Sequence, residues 1–531
     1  MQKIKSYYEK VVNFLNVHSL VIIIIITIIS TSIATIWSYQ HGYIYAYNDA
    51  KSHLNIARRV IDNLTPGIAQ LGGSWLPLYH ILMFPLIWNN FFWHSGIAGS
   101  YISFITYVLS AVLLFKSIYL ITKTKFAAFL GTLLFIFNVN ALYLSTAAMG
   151  EMSTVFFIVL SVYLFIRWQN EKKLYLLISL GLSCFLGTLD RYEMWAIAGS
   201  AVLAIILSRI TFKKIKSLNV SQLESEIIIF CTLGFFGMVL WLLWNLAIFG
   251  DAFSFMHGIY SAGAYQTSYI EQHLNLPYKN ILQACLFYFY DSGNVNTWSV
   301  TVLGIIGSIY YLVKNKSLKA MALVGLSSSV VFFEVYCMYS GNTSIYVPQL
   351  YPYDYYNIRY GIYALPFVIL FASYALGMKN KIFPLLLFLI LFAETILSFR
   401  TMPITLLDST FSNGPVMGNK LIFENELEKA ATYMHTHYDG GLILTSAGVN
   451  DGSIFLSNLD IKDFITEGNQ KYWTESLQNP RKYATWVMMR HDDSTEIRNT
   501  LIEHFSGGGL FKNYKFKLLY SNSVINIYKK E

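Results

Sequence analysis

Residues 20–37, LVIIIIITIISTSIATIW, decide the fold class of this chain. The run contains no charged side chain, and a helix of about 20 such residues crosses about 30 Å of hydrocarbon. Lys3, Lys5 and Lys10 precede the run, and no small-residue cleavage site follows it. These features favour a first transmembrane helix over the alternative of a cleaved signal peptide.

The composition extends this interpretation to most of the chain. Of the 531 residues, 55% are hydrophobic and only 13% are charged, whereas about 25% of the residues in a soluble domain are charged. Aromatic residues make up 17%, which is typical of a protein with wide membrane–water interfaces. The net charge of +8 comes from lysines in short loops between apolar runs, so it does not indicate nucleic-acid binding.

Further apolar runs predict a polytopic α-helical membrane protein. Together with the first run they give about eleven transmembrane helices. The two shortest runs are compatible with burial inside the bundle as well as with lipid contact. The predicted spans cover residues 19–38, 97–121, 126–144, 152–167, 174–189, 194–210, 226–249, 298–313, 320–340, 359–377 and 382–399.

The basic loops predict the orientation through the positive-inside rule. When the N-terminus is assigned to the cytoplasm, every basic cluster falls on the cytoplasmic side. The sequence therefore predicts a multi-pass protein of the plasma membrane with a cytoplasmic N-terminus. The clusters are Lys3, Lys5 and Lys10; Lys123 and Lys125; Arg167, Lys172 and Lys173; Arg209, Lys213, Lys214 and Lys216; Lys314, Lys316 and Lys319; and Lys379 and Lys381.

The same topology predicts a transmembrane domain over residues 1–400 that gathers acidic residues on its outer face. Acids collected at one face of a membrane protein indicate chemistry at that face. The predicted outer loops are 39–96, 145–151, 190–193, 250–297 and 341–358. The acids in or beside them are Asp49, Glu151, Asp190, Glu193 and Asp354.

Residues 401–531 have a different pattern, with frequent charges and periodic apolar residues. Residues 424–438 predict an amphipathic helix that Gly440 and Gly441 end. The tail is therefore predicted to form a small extracytoplasmic α/β domain. Its other predicted elements are strands at 442–445 and 484–489, a helix at 495–505 and a hairpin at 515–528.

The first outer loop carries the leading candidate acid. Its apolar residues recur at helical spacing and predict a helix along the membrane surface. If this helix reaches back to Asp49, then Asp49 and His53 share one face. Asp49 is suited to act as a general base or to help hold a divalent cation, and the alternative is that it only favours the helix dipole. The apolar positions are Leu54, Ala57, Ile61 and Leu64.

Three other outer segments place charges beside apolar runs. Glu151 enters a span, which is costly unless the carboxylate is paired or faces a cavity. Asp190, Arg191 and Glu193 share a turn between two spans, and a solvated cap with an internal ion pair is the alternative to a binding role. Arg359 precedes a late span, where its planar fork suits a lipid phosphate or ordinary headgroups.

Two further acids, Glu334 and Glu394, lie inside predicted spans. An acid within the membrane is a functional candidate by default. Hydrogen bonding within the helix bundle is the alternative for both.

These residues resemble the motifs of a known superfamily, the GT-C fold glycosyltransferases. Protein O-mannosyltransferases, lipid A aminoarabinose transferases and oligosaccharyltransferases belong to it. Asp49 stands where the superfamily has an essential acid after the first span, and Glu151 stands where a second outer acid is typical. The other similar segments are 190–195 (DRYEMW), which is similar to the RYEGW turn of prokaryotic members, 249–253 (FGDAF), and 357–360 (NIRY) followed by Pro366.

The resemblance implies transfer of a sugar from a polyprenyl-phosphate donor to a protein, lipid or glycan acceptor of the cell envelope, with inversion at the sugar carbon. Asp49 would take the proton of the acceptor hydroxyl, and Arg359 would stabilise the departing phosphate. Arg58, Arg59 and Arg191 are further candidates for binding that phosphate. The residues expected to contact the donor sugar are His53, Glu151, Asp190, Arg191 and Glu193.

The resemblance leaves the cofactor open. Mannosyltransferases of the superfamily commonly have an Asp-Glu pair after the first span, whereas this chain has Asn48 and Asp49 and no Asp-x-Asp motif there. A Mg²⁺ or Mn²⁺ ion held by Asp49 and Glu151 is one alternative, and transfer without a metal is the other.

Two rival functions share the span count. A transporter or lipid flippase predicts a site near the midplane between broken helices of matching halves, whereas the acids here gather outside. A ligase or polymerase of polyprenyl-linked glycans would use the same carrier and differ mainly in donor size, which the sequence does not separate.

Overall fold

The computed structural model describes residues 2–210, 219–258, 261–377, 382–401, 406, 420–491, 500–505 and 509–531. A helical part extends to residue 401. Residues 420–531 form the C-terminal α/β unit. Five lysines of the predicted cytoplasmic clusters lie outside the described residues, namely Lys213, Lys214, Lys216, Lys379 and Lys381.

The described helical part contains twenty α-helices. Short 3₁₀ helices lie at Tyr43–Tyr45, Ile68–Leu71 and Ile358–Ala364. The α-helices are α1 (Gln2–Gln40), α2 (Asn48–Arg59), α3 (Leu78–Leu82), α4 (Phe84–Ile87), α5 (Asn90–His94), α6 (Ile97–Thr122), α7 (Lys125–Ile136), α8 (Val139–Leu144), α9 (Glu151–Glu171), α10 (Leu174–Thr188), α11 (Glu193–Arg209), α12 (Val220–Gly234), α13 (Phe236–Phe249), α14 (Ser254–His257), α15 (Ala262–Glu271), α16 (Ile281–Asn296), α17 (Trp298–Asn315), α18 (Leu318–Ser340), α19 (Leu365–Leu376) and α20 (Ile382–Thr401).

The chain is a multi-pass membrane protein, but the prediction of about eleven spans is not confirmed. Among the described residues, seven segments are long and apolar enough to cross a membrane, and an eighth is added if α16 and α17 form one bent span. Helices α7 and α10 are apolar but shorter. The seven segments are Val17–Gln40, Ile97–Thr122, Glu151–Glu171, Val220–Phe249, Leu318–Ser340, Ile358–Leu376 and Ile382–Phe399.

Polar side chains break one of the predicted spans and begin the helix of another. The Asn138 side chain accepts a hydrogen bond from the Ala141 amide at 2.8 Å and starts α8, so the predicted span 126–144 is two helices. The predicted loop 250–297 contains α16, which meets α17 at 118°. The Glu394 carboxylate accepts the amide protons that begin α17, from Trp298 at 2.9 Å and Ser299 at 3.1 Å. Glu394 therefore caps a helix, in agreement with the bundle-bonding alternative.

Glycines allow two long helices to pack closely. A Cβ atom at Gly307 of α17 would lie 2.2 Å from the Phe371 carbonyl oxygen of α19. One turn earlier, a Cβ at Gly304 would lie 2.5 Å from the Val368 Cα. Small residues at a helix crossing let the two backbones approach, which is how membrane helices gain packing energy.

The acidic and basic ends of the bundle are separated along α9. Glu151 begins this helix, and its 21 residues span roughly 30 Å. At the other end, the Gln169 side chain donates to the Lys319 carbonyl at 3.0 Å, and Arg209 lies over the Trp168 ring at 5.6 Å. The basic residues thus share one end of the bundle, and the cytoplasmic assignment of that end stays a prediction.

The C-terminal unit is a mixed sheet with helices, as the sequence patterns predict. Its predicted first helix and its hairpin are confirmed, and residues 500–505 of the helix predicted at 495–505 are helical, while residues 495–499 lie outside the described residues. The sheet order is β2-β1-β3-β5-β4, with β1 parallel to β2 and β3, and β5 antiparallel to its neighbours. The elements are α21 (Lys420–His437), β1 (Leu442–Leu444), α22 (Ala447–Leu456), β2 (Phe464–Ile465), α23 (Gln470–Gln478), β3 (Ala484–Arg490), α24 (Thr500–Phe505), α25 (Gly509–Tyr514), β4 (Phe516–Ser521) and β5 (Ile525–Lys530), with 3₁₀ turns at Ile461–Asp463 and Pro480–Lys482.

The substitution Gly307→Ala tests the close crossing of α17 and α19. We expect a loss of roughly 1–3 kcal/mol in stability, because the added methyl group must push two helix backbones apart. Thermal unfolding of the purified protein in detergent measures the loss. Gly325→Ala is the matched control, since a Cβ there meets nothing within 4 Å. Equal melting temperatures for the two variants would contradict the crossing.

Candidate active site

Four separate segments bring charged side chains to one place at the acidic end of the bundle. Asp49 lies in the first turn of α2, and Glu151 begins α9. Arg191 belongs to the turn between α10 and α11, and Glu193 begins α11. Arg359 lies in the 3₁₀ helix before α19. We call these five residues the charge network.

Arg359 joins the first two acids of the network. Its Nη2 lies 2.5 Å from the Asp49 Oδ2, and its Nε lies 3.2 Å from the Glu151 Oε1. The rings of Tyr47 and Tyr360 lie 5.3 and 5.4 Å from the guanidinium carbon. Cation–π contacts of this kind further stabilise a guanidinium group that has lost its water shell.

Arg191 extends the network on the other side of Glu151. Its Nη1 lies 3.6 Å from the Glu151 Oε1, and its Nη2 donates to the Glu193 Oε1 at 2.9 Å. Glu151 is fully buried, so an unpaired charge there would be costly. The two guanidinium groups on either side offset that cost, and acids and arginines alternate along the network.

Asp49 is the network acid that solvent reaches. Its side chain is 36% exposed, against 0% for Glu151 and 5% for Glu193. A carboxylate that takes a proton from a substrate must be reachable by that substrate. The exposure therefore favours Asp49 over the other two acids as a base.

Asp190 makes no ion pair with the charge network. Instead, it links the turn that carries Arg191 to the start of α9, which carries Glu151. Its carboxylate accepts hydrogen bonds from the Ser153 and Thr154 hydroxyls of α9, each at 2.9 Å. Burial raises the pKa of Asp190 to about 7, and the hydrogen bonds from Ser153 and Thr154 oppose that rise. The tie fixes the Arg191 turn against the first turn of α9.

His53 lies on the same face of α2 as Asp49, as the spacing predicted. Its Nδ1 lies 2.8 Å from the Nε2 of His80, and its ring packs at 4.3 Å on Trp75. Burial, with Arg191 and Arg359 nearby, lowers the pKa of His53 to about 3. The imidazole is therefore neutral at physiological pH, and a contact to a sugar hydroxyl stays a prediction.

Arg58 and Arg59 lie apart from the network. Arg58 donates to Asp62 at 3.0 Å, to the Ile87 carbonyl at 2.9 Å and to Asn90 at 2.6 Å. This buried guanidinium ties α2 to the segment 87–90, which is a structural role. Arg59 lies near Asp451 of the C-terminal unit: burial raises the pKa of Asp451 to about 6, and the charge of Arg59 opposes that rise. Their predicted contact with a lipid phosphate stays untested.

Several residues of the site escaped the sequence analysis. The spacing of His53 and His80 carries no local signal, because the two rings meet only through the tertiary fold. The hydroxyls of Ser153 and Thr154 follow Glu151 closely and could have been suspected as partners of an acid. Asp291 lies in an apolar run that was assigned to a loop. It is buried, 3.0 Å from where a Cβ of Gly361 would lie.

The residues do not form a ready metal site. Within the described ranges, no three His, Cys, Asp or Glu side chains converge as metal ligands. Arg359 lies between Asp49 and Glu151, the two predicted ligands, and its guanidinium supplies the positive charge at that point.

The whole chain is similar to solved structures of membrane sugar transferases. ArnT from Cupriavidus metallidurans bound to undecaprenyl phosphate matches with a TM-score of 0.57 and 9% identity, over 96% of this chain and 97% of that chain. The apo state of ArnT matches with a TM-score of 0.52 and 10% identity, over 90% and 92%. The apo oligosaccharyltransferase of Archaeoglobus fulgidus matches with a TM-score of 0.50 and 12% identity, over 89% and 69%.

These likenesses identify the fold. ArnT and the oligosaccharyltransferase are GT-C fold glycosyltransferases, and the present chain has the GT-C fold that its sequence motifs led us to expect. No family model matches the chain, and no curated protein matches it.

The pKa of Asp190 predicts a pH dependence of stability. Because the folded-state pKa of about 7 exceeds the reference of 3.8, folding favours the protonated acid, and stability falls as the pH rises from about 4 to about 7. Asp190→Asn should remove this fall, which amounts to up to about 4 kcal/mol. Melting temperatures at pH 5 and pH 8 measure it. The exposed Asp439→Asn control should keep the wild-type difference, and an unchanged difference in Asp190→Asn would contradict the assignment.

Proposed function

We propose that the protein is a glycosyltransferase that moves a sugar from a polyprenyl-phosphate-linked donor to an acceptor hydroxyl at the outer face of the membrane. The observation that carries the proposal is the reachable Asp49 carboxylate, paired at 2.5 Å with Arg359, on the GT-C fold. One member of that fold, ArnT, was solved bound to undecaprenyl phosphate. A base and a phosphate-binding cation side by side are what such a transfer needs.

The chemistry follows from the two charges. The acceptor oxygen attacks the sugar carbon C1 while the bond from C1 to the phosphate oxygen breaks, which inverts the configuration at C1. The Asp49 carboxylate takes the proton of the attacking hydroxyl, which raises the nucleophilicity of that oxygen. The phosphate leaves with the electron pair of the broken bond.

Arg359 is suited to receive the leaving phosphate. A guanidinium group carries five N–H donors in a planar fork, and the ion pairs described above use its Nε and Nη2. A phosphate beside Asp49 would meet the rest of the fork. Because the group is buried, its charge acts through a low dielectric and stabilises developing negative charge more than it would in water.

The second arginine and the inner acids are proposed to hold the donor sugar. Glu151 and Glu193 are fixed by Arg191 and therefore present oriented oxygens. Because their side chains are 0% and 5% exposed, a donor sugar reaches these oxygens only if it displaces the ion pairs that cover them. Asp190 would act indirectly, by keeping Arg191 in place.

A glycan ligase that transfers a preassembled oligosaccharide is the second candidate. The likeness to the oligosaccharyltransferase of Archaeoglobus fulgidus, with a TM-score of 0.50, is the observation that favours it. Both candidates use the same base and the same lipid carrier, so donor size separates them. We orient the site outward because of the predicted positive-inside topology.

Transfer assays with Asp49→Asn test the proposed function. Purified wild-type protein is incubated with polyprenyl-phosphate monosaccharides and oligosaccharides, with a cell-envelope extract as acceptor, in Mg²⁺, in Mn²⁺ and in chelator. We expect one donor class to be consumed and the variant to be slower by roughly 10²–10⁴-fold, because the base is lost. Asp460→Asn, in an exposed ion pair of the C-terminal unit, is the control.

Two outcomes would contradict this assignment. If no donor is consumed under any cation condition, the transferase function is wrong. If Asp49→Asn transfers as fast as the wild type, the function stands and Asp49 is not the base.

Substitution of Arg359 tests the leaving-group contact. We expect Arg359→Gln to lower kcat by roughly 10²–10³-fold, and Arg359→Lys to recover only part of it, because a lysine cannot reproduce the fork between Asp49 and Glu151. Initial rates at saturating donor measure this. Arg167→Gln, at the basic end of α9, should keep the wild-type rate. If Arg359→Gln also keeps the wild-type rate, Arg359 does not contact the leaving phosphate.

A further inference from the structure

Helix α2 contacts different parts of the protein through two of its faces. Asp49 and His53 face the charge network and His80. Lys51 and Asn55, each two residues further along the helix, face the C-terminal α/β unit. The helix that carries the proposed base thus lies between the membrane bundle and the outer unit, and both set its position.

The outer face of α2 is held by buried polar contacts. The Lys51 ammonium lies 2.8 Å from the Glu424 carboxylate of α21. The Asn55 amide donates at 2.9 Å to the Asp451 carbonyl of α22. Lys51 and Asn55 are only 4% and 1% exposed. A buried polar group that loses its partner is costly. These contacts therefore fix both the rotation of α2 about its own axis and its position along that axis relative to the C-terminal unit.

The contacts continue beyond the end of α2. The Asn469 amide donates to the Asn63 side chain at 2.5 Å and to the Thr65 hydroxyl at 3.0 Å. The Gln70 amide donates to the Gly468 carbonyl at 3.0 Å. The unit therefore holds the first outer loop along its length.

Apolar packing joins the same surfaces before α2 begins. The ring of Phe455 in α22 lies 5.2 Å from Tyr45 and 6.3 Å from Trp93. Tyr45 ends the 3₁₀ helix that leads into α2. The entry to α2 is thus packed against the unit as well.

The tightest contact lies beside the proposed base. A Cβ atom at Gly452 of α22 would lie 2.4 Å from the Asn48 Oδ1, and 3.6 Å from the Asn48 Cγ and the Lys51 Cδ. Asn48 is the residue before Asp49. A side chain at position 452 would therefore displace the Asn48 side chain at the start of α2, one residue before the Asp49 carboxylate that meets Arg359.

We propose that the C-terminal unit is a positioning element of the active site, which holds α2 so that the Asp49 carboxylate lies against Arg359. The consequence for catalysis rests on the proposed function, whereas the coupling of the unit to α2 does not. The residues that act are Gly452, Asp451 and Glu424, which touch α2 and none of the network side chains.

The experiment is a matched pair of glycine substitutions on α22 in the full-length protein. Gly452→Ala adds a methyl group against Asn48, and Gly448→Ala adds one to an exposed position of the same helix. The double variant Asn48→Ala with Gly452→Ala removes the crowded oxygen, which has no hydrogen-bond partner among the described residues. Glu424→Gln, which breaks the ion pair with Lys51, is an independent second probe.

Two readouts are made on every variant. Hydrogen exchange of the α2 backbone amides reports the hold on the helix, and steady-state transfer reports kcat and KM. In Gly452→Ala we expect faster exchange over residues 48–59 and a kcat lower by roughly 10- to 100-fold with an unchanged donor KM, because a displacement of about 1 Å has that effect. Gly448→Ala should match the wild type, and the double variant should recover both properties.

The outcomes separate the two proposals. If α2 exchange in Gly452→Ala and Glu424→Gln equals that of Gly448→Ala, the positioning role is overturned whatever the activity. If the wild type transfers no sugar, the proposed function fails, and exchange alone decides the coupling. If kcat is kept and the acceptor KM rises, the unit acts in acceptor recognition and the positioning role is wrong.

Discussion

The Arg359 guanidinium is the interaction on which the acidic end of the protein depends. It meets Asp49, 310 residues away in the chain, and Glu151 at the start of another helix. Buried carboxylates at the end of a membrane bundle are unfavourable unless a cation meets them. One guanidinium forms ion pairs with the buried Glu151 and the partly exposed Asp49 and thereby fixes the relative positions of α2, α9 and the segment before α19.

The same physics explains the other polar groups near the network. Arg191 forms ion pairs with Glu151, which also meets Arg359, and with Glu193. If any one of the five residues is replaced, the charge network still contains both an acid and an arginine. The Asp190 carboxylate, held by two hydroxyls, fixes the turn that carries Arg191. Deeper in the bundle, Glu394 satisfies the amides at the start of α17. For Glu193, Asp190 and Glu394 the bundle supplies a hydrogen-bond partner where water is excluded.

Prediction from sequence succeeded where the signal is local. The amphipathic helix that begins the C-terminal unit was predicted because Leu427, Ala430 and Met434 recur on one face, and all three are buried. Span boundaries were less accurate where Asn138 divides the predicted span 126–144 into two helices, whereas the predicted start of a span at residue 298 agrees with the start of α17. The roles suggested for Arg58 and Arg59 could not be weighed from sequence, because an arginine that binds a phosphate and one that clamps a loop look alike.

That Asp49 and Arg359 belong to one site was implied by the resemblance of their segments to GT-C enzymes. The sequence by itself determined that the protein crosses a membrane many times and that its acids gather at one end. Hydrophobic runs and the positions of charged residues predict the membrane spans and their orientation, because each side chain makes its own contribution to the free energy of transfer into hydrocarbon. The tertiary structure alone decided that Arg359 lies between Asp49 and Glu151, that His53 meets His80, and that the C-terminal unit holds the far face of α2. Those pairings depend on how distant helices cross, and no local pattern of the chain encodes the crossing.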